Sequence, residues 1–129
     1  MTRTIRIVVL AYFLLELNPL ARAADYPEPV AGDFRIRDFR FASGEVLPEL
    51  KLHYLTIGTP RHDSSGVVRN AVLILHGTGG SSRQFLSPNF ADVLFAPGQL
   101  LDAARYFIIL PDSIGHGQSS KPRDGLHAR

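Results

Sequence analysis

The amino-acid sequence predicts an α/β fold in which an antiparallel strand pair is followed by a parallel βαβ unit. Three observations carry that prediction. Ala71 to Leu75 (AVLIL) and Tyr106 to Leu110 (YFIIL) are uninterrupted apolar runs, each opening into glycine and polar residues; this is how strands buried on both faces read. Gly77 to Arg105 separates them, about 30 residues and enough for a right-handed crossover between parallel strands. Upstream, Phe34 to Phe41 and Leu50 to Ile57 alternate apolar and polar residues, as half-buried strands do.

The chain has 129 residues, 45% of them hydrophobic and 20% charged, with no cysteine. That is the composition of one ordinary globular domain, with no disulfide and no thiol nucleophile. Arg3 and Arg6, the nine-residue apolar run Ile7 to Leu15, and Ala21-Arg22-Ala23 have the layout of a secretory signal peptide. The run is too short to span a bilayer, which takes about 20 apolar residues. Residues 1–23 are therefore expected to be a signal peptide, with an exported (periplasmic or secreted) mature chain from Ala24; an amphipathic amino terminus is the other possibility. Setting aside Arg3, Arg6, Arg22 and Glu16 leaves 11 basic and 11 acidic residues. A neutral chain without a basic stripe does not suggest nucleic acid as a partner.

From Asp25 to Gly32, Pro27 and Pro29 make an extended lead-in. In the first strand Phe34 and Ile36 fall out of phase with Phe39 and Phe41, which predicts a bulge near Asp38. Ser43-Gly44-Glu45 is a turn, and Leu50 to Ile57 is the second strand, with Lys51, His53, Leu55 and Ile57 on one face. His53 reads as a strand residue. Arg61 to Asn70, with Ser64-Ser65-Gly66, has the composition of a mobile surface loop. After the Ala71 strand comes His76-Gly77-Thr78-Gly79-Gly80, where three glycines allow a sharp turn and close approach of a ligand to backbone N–H groups. Ser81 or Ser82 is placed to cap a helix. Pro88 and Pro97 limit Gln84 to Phe95 to a loop with short helical turns, and Leu100 to Ala104 is the better helical turn.

Two loops thus emerge at one edge of the sheet, where an open α/β sheet binds its ligand. The first allows two readings: a tight turn without chemistry, or an oxyanion-binding loop whose fixed N–H groups meet the charge built during acyl transfer. Other motifs fail on detail. Gly115-x-Gly117 has Ser120 where a dinucleotide fingerprint needs glycine, and Gly115 to Lys121 lacks the ending of a phosphate loop. His53, His62, His76, His116 and His127 lack metal-ligand spacing, so no metal or other cofactor is expected.

HGTGG after a buried strand, joined by Asp112-x-x-Gly115-x-Gly117-x-Ser119 after the next, resembles the α/β-hydrolase superfamily. Tyr54 to Gly58 (YLTIG), Leu101 to Ile109 (LDAARYFII) and Ser119 to Leu126 (SSKPRDGL) resemble its homoserine O-acetyltransferase-like branch. The resemblance covers roughly Phe34 to Leu126 and implies that residues 24–129 are the amino-terminal portion of an α/β-hydrolase domain, with an incomplete sheet. It implies an oxyanion donor at the Thr78 N–H, and Asp112, Gly115 and Gly117 as shapers of the second loop, beside which His116 lies. The superfamily's chemistry needs a Gly-x-Ser-x-Gly elbow, then an acid, then a histidine. Gly79-Gly80-Ser81-Ser82-Arg83 and Gly117-Gln118-Ser119-Ser120-Lys121 both fail at the last position. No nucleophile, acid or base is therefore assigned. The resemblance further implies a small-molecule ester or acyl substrate for the full-length enzyme. In its sheet order the Ala71 strand lies between the Tyr106 strand and the elbow strand, so one side of it is expected to be open here. A chain of another class, a truncated non-catalytic remnant or binding subunit, would use that same edge to hold a partner.

Overall fold

The computed structural model describes residues 25–127; the predicted signal peptide lies outside them. Four strands, β1 (Val30–Arg40), β2 (Val46–Ile57), β3 (Ala71–Leu73) and β4 (Phe107–Pro111), form one mixed sheet in the order β1-β2-β4-β3. β1 with β2 and β2 with β4 are antiparallel, and β3 with β4 is parallel. The antiparallel pair followed by a parallel pair is the expected, incomplete α/β-hydrolase sheet. Between β3 and β4 lie a 3-10 helix (Ser82–Leu86) and one short α-helix, α1 (Pro88–Leu94).

The predicted bulge is absent. Arg37 pairs with Glu49 and Phe39 with Leu47 in one continuous register. The change of phase comes instead from Asp38, whose φ of 50° turns the chain without inserting a residue. It lies opposite Pro48, which has no N–H to offer the ladder. Ile36 and Phe39 can thus both pack on Leu47 and Leu50.

The main core lies on one face of the sheet. Leu55, Ile57, Ile108 and Leu110 pack there against Phe85, Ala91, Phe95 and Ala103. Tyr26 from the lead-in sets its ring edge-on to Phe95, 6.1 Å between centroids. The expectation that β3 is buried on both faces fails. Ile74 packs on the core, whereas Leu73 and Leu75 are 60% and 64% exposed. β3 is also an edge strand: among the described residues only β4 pairs with it.

The helical assignments shift as well. α1 begins at Pro88, where a missing N–H costs nothing because the first-turn N–H groups have no helical acceptor. Leu100 to Ala104 forms turns and no helix. There the Asp102 carboxylate accepts the N–H groups of Gly98 (2.9 Å) and Ala104 (2.8 Å), a local alternative to helical bonding. Those bonds hold the Asp102 carboxyl below its ordinary pKa. Arg61 to Asn70 is likewise a built loop. Asp63 accepts bonds from the Ser65 hydroxyl, the N–H groups of Ser65 and Val67, and the Arg69 guanidinium, which lower its pKa to about 2.

Candidate functional site

β3 and β4 run parallel, so the chain leaves both at the same edge and their loops meet. The Ile74 N–H still bonds the Ile109 carbonyl (3.0 Å), and the turn begins at His76. One ring nitrogen, Nε2, accepts the Ser113 N–H of the β4 loop at 2.9 Å. Its proton must then sit on Nδ1, which donates to the Gly77 carbonyl at 2.9 Å. The Gly80 N–H reaches the same carbonyl at 3.1 Å. The Thr78 and Gly79 N–H groups make no hydrogen bond among the described residues, and Thr78 is exposed.

Ser81 stands before the 3-10 helix but makes no side-chain cap. The cap comes from across the sheet: Asp112 Oδ1 accepts the Ser82 N–H at 2.6 Å, while Oδ2 accepts the Gln118 N–H at 2.7 Å. Asp112 is 2% exposed. Burial opposes its charge, but the Gln118 and Ser82 N–H groups outweigh that and keep its pKa below the ordinary carboxylate value. Gly117 lies against it with φ 49°, and a Cβ there would stand 1.9 Å from Oδ2, so only glycine fits. Gly115 has φ 89°.

Two serines bind this loop to β2. Ser119 Oγ donates to the Asp112 carbonyl (2.7 Å) and accepts the His53 N–H (2.9 Å). Ser120 Oγ accepts the Lys51 N–H, and the Ser120 N–H returns to the Lys51 carbonyl, each at 2.9 Å. From sequence these serines stood out as part of the resembling loop and as a failed elbow, not as staples; a pair of serines following a glycine-rich turn was the available signal for stapling. The structure brings His76 and His116 together, ring centroids 5.2 Å apart. His53 lies elsewhere, buried, with Nδ1 2.8 Å from Asp33 Oδ1 on β1. That bond holds the Asp33 carboxyl below its ordinary pKa. Among the described residues no group of three or more His, Cys, Asp or Glu side chains could hold a metal ion, and no helix is long and apolar enough to cross a membrane.

A family model described as the alpha/beta hydrolase fold matches residues 70–128, spanning β3, β4 and both loops. The described fold overlays a crystal structure of homoserine O-acetyltransferase from Staphylococcus aureus with a TM-score of 0.60, at 20% identity over 78% of this chain and 29% of that one. Residues 70–128 thus match the α/β-hydrolase superfamily. Within it, the sequence is 36% identical over 92 residues to a protein of Methanothermobacter thermautotrophicus named a probable acyltransferase, covering 71% of this chain and 27% of the relative. It is also 36% identical over 83 residues to the homoserine O-acetyltransferase of Pelobacter propionicus, covering 59% and 21%. The chain thus spans about a quarter of the length of the relatives it matches.

Proposed function

We propose that this chain forms the amino-terminal part of a serine-dependent acyl hydrolase or acyltransferase, in which the Thr78 N–H is an oxyanion donor. The observation that carries this reading is the unengaged Thr78 amide at the carboxyl end of β3, beside a β4 loop fixed by Asp112 and Ser119. In the complete enzyme a serine alkoxide attacks an ester or acyl carbonyl, and negative charge develops on the carbonyl oxygen. One preorganised donor at that oxygen stabilises the transition state by roughly 3–4 kcal/mol. The acyl-enzyme then passes its acyl group to water or to an acceptor hydroxyl. The names of the relatives, acyltransferase and homoserine O-acetyltransferase, support acyl transfer and a small-molecule substrate. Export through residues 1–23 would favour hydrolysis, because acetyl-CoA is an intracellular donor.

Among the described residues no serine hydroxyl donates a hydrogen bond to a histidine ring. Ser119 Oγ is committed to two backbone partners, both nitrogens of His76 are occupied by backbone groups, and the His53 ring faces Asp33. The purified 129-residue chain is therefore expected to give no turnover of a chromogenic short-chain ester. The reading frame beyond Arg129 is expected to encode Phe-Pro and then Gly-x-Ser-x-Gly. Turnover by the chain alone would overturn the assignment of an absent nucleophile. A second reading, a non-catalytic binding subunit, is favoured by the exposed Leu73 and Leu75 and the open edge of β3; absence of an elbow downstream would select it.

A further inference from the structure

We propose that His76 is the positioning residue for the Thr78 amide, acting as a tautomer-locked strut between the β3 and β4 loops. This rests on the oxyanion reading of Thr78. The Gly77 carbonyl and the Thr78 N–H belong to one peptide unit, and no peptide bond in the described chain is cis. In a trans peptide these two groups point in opposite directions. The carbonyl is held twice, by the Gly80 N–H at 3.1 Å and by His76 Nδ1 at 2.9 Å, which uses both of its acceptor positions. Fixing the carbonyl on that side directs the Thr78 N–H to the other, where no described group accepts it.

A side chain can fix a peptide plane only if it is itself fixed. The Ser113 N–H does this at 2.9 Å, across 37 residues of sequence. It also selects the tautomer. A backbone N–H can only donate, so Nε2 must carry the lone pair and Nδ1 the proton that reaches Gly77. The direction of the Thr78 amide is thereby tied to the first turn after β4 and not to its own glycine-rich loop alone. The neighbouring His116 ring packs against His76, but its own Nδ1 lies 3.3 Å from the Ile114 carbonyl, and it takes no part in the strut.

Nitrogen NMR of the full 129-residue chain, labelled at its histidine side chains, tests this without any substitution. The His76 resonances are expected to show a protonated Nδ1 and an unprotonated Nε2. An Nε2-protonated ring, or one averaging between tautomers, overturns the proposal. Substitutions supply a second measurement on the companion bond to the same carbonyl. In His76→Ala the Gly80 amide is expected to exchange with solvent about fivefold faster, the equivalent of one ordinary hydrogen bond. His76→Asn, whose amide N–H can still reach the Gly77 carbonyl, should restore most of that protection, and His116→Asn should leave it unchanged. Equal exchange in His76→Ala and wild type overturns the proposal. These readouts report the peptide's orientation whether or not Thr78 meets an oxyanion. Their failure leaves the acyl-transfer reading standing, and the failure of that reading leaves them standing.

Discussion

The Asp112 carboxylate is the strongest single tie at the loop edge, and Asp112→Asn tests it with almost no change in size. The wild-type group accepts the Ser82 N–H at 2.6 Å and the Gln118 N–H at 2.7 Å while 2% exposed. Hydrogen bonds to a charged group contribute about 1.5–3 kcal/mol each, and a buried donor left without an acceptor costs about 1–3 kcal/mol. Asparagine keeps one carbonyl oxygen, so it can satisfy one of the two N–H groups while its own NH2 confronts the other. The expected loss is about 2–3 kcal/mol, confined to the segments that Asp112 joins. Amide hydrogen exchange at Ser82 and Gln118, corrected for intrinsic rates, should then accelerate about 30- to 150-fold in the variant. The pH dependence has a definite sign. The folded pKa lies below the unfolded one, so the stabilisation is fully present above the ordinary carboxylate value and disappears as pH falls through the folded value. The gap between wild type and variant should therefore close in acid. Exchange in Asp112→Asn within about threefold of wild type at both amides, or a gap that stays constant into acid, would refute the assignment.

Two further outcomes follow from local geometry. Gly58→Ala should cost more than about 2 kcal/mol, because Gly58 has φ 83° and a Cβ would stand 2.3 Å from the Tyr106 carbonyl oxygen and 2.5 Å from that of Ala103; its loss of soluble yield and amide protection is the check, and wild-type behaviour counts against it. Leu73 and Leu75 are 60% and 64% exposed, leaving roughly 1–2 kcal/mol of burial unrealised at each, so the chain should self-associate as concentration rises. Light scattering should show Leu73→Lys with Leu75→Lys suppressing this, and unchanged scattering would assign the association to another surface.

Where the sequence was legible, the signal was local. AVLIL and YFIIL marked β3 and β4 because continuous apolar runs have few other uses, and alternation marked β1 and β2. Both of those strands extend further than the alternation showed, for reasons lying in the partner strand. Gly32 sits in β1 opposite Tyr54, whose ring occupies the place a Cβ would take, 2.6 Å away. Pro48 is tolerated in β2 because it faces the irregular Asp38. α1 was expected only as short helical turns because Pro88 read as a breaker when it stands at the first turn. Leu100 to Ala104 misled because Asp102 spends its carboxylate on a turn. At the site, HGTGG and the Asp112 loop were visible as motifs. Their supports were not: His76 meets Ser113 across 37 residues and Ser82 meets Asp112 across 30, distances over which no spacing rule operates.

Those supports differ in kind, and the difference orders their failure. Asp112 acts through charge-assisted bonds in a buried place, whereas His76 and Ser119 act through neutral ones, which are roughly half as strong. A perturbation that loosens this edge should release the His76–Ser113 tie before the Ser82–Asp112–Gln118 clamp. The two loops would then remain attached through the crossover while the Gly77–Thr78 peptide regains its freedom to rotate. An oxyanion donor is useful only if it is oriented before the charge develops. The property most easily lost is therefore the direction of one amide, ahead of the fold that carries it.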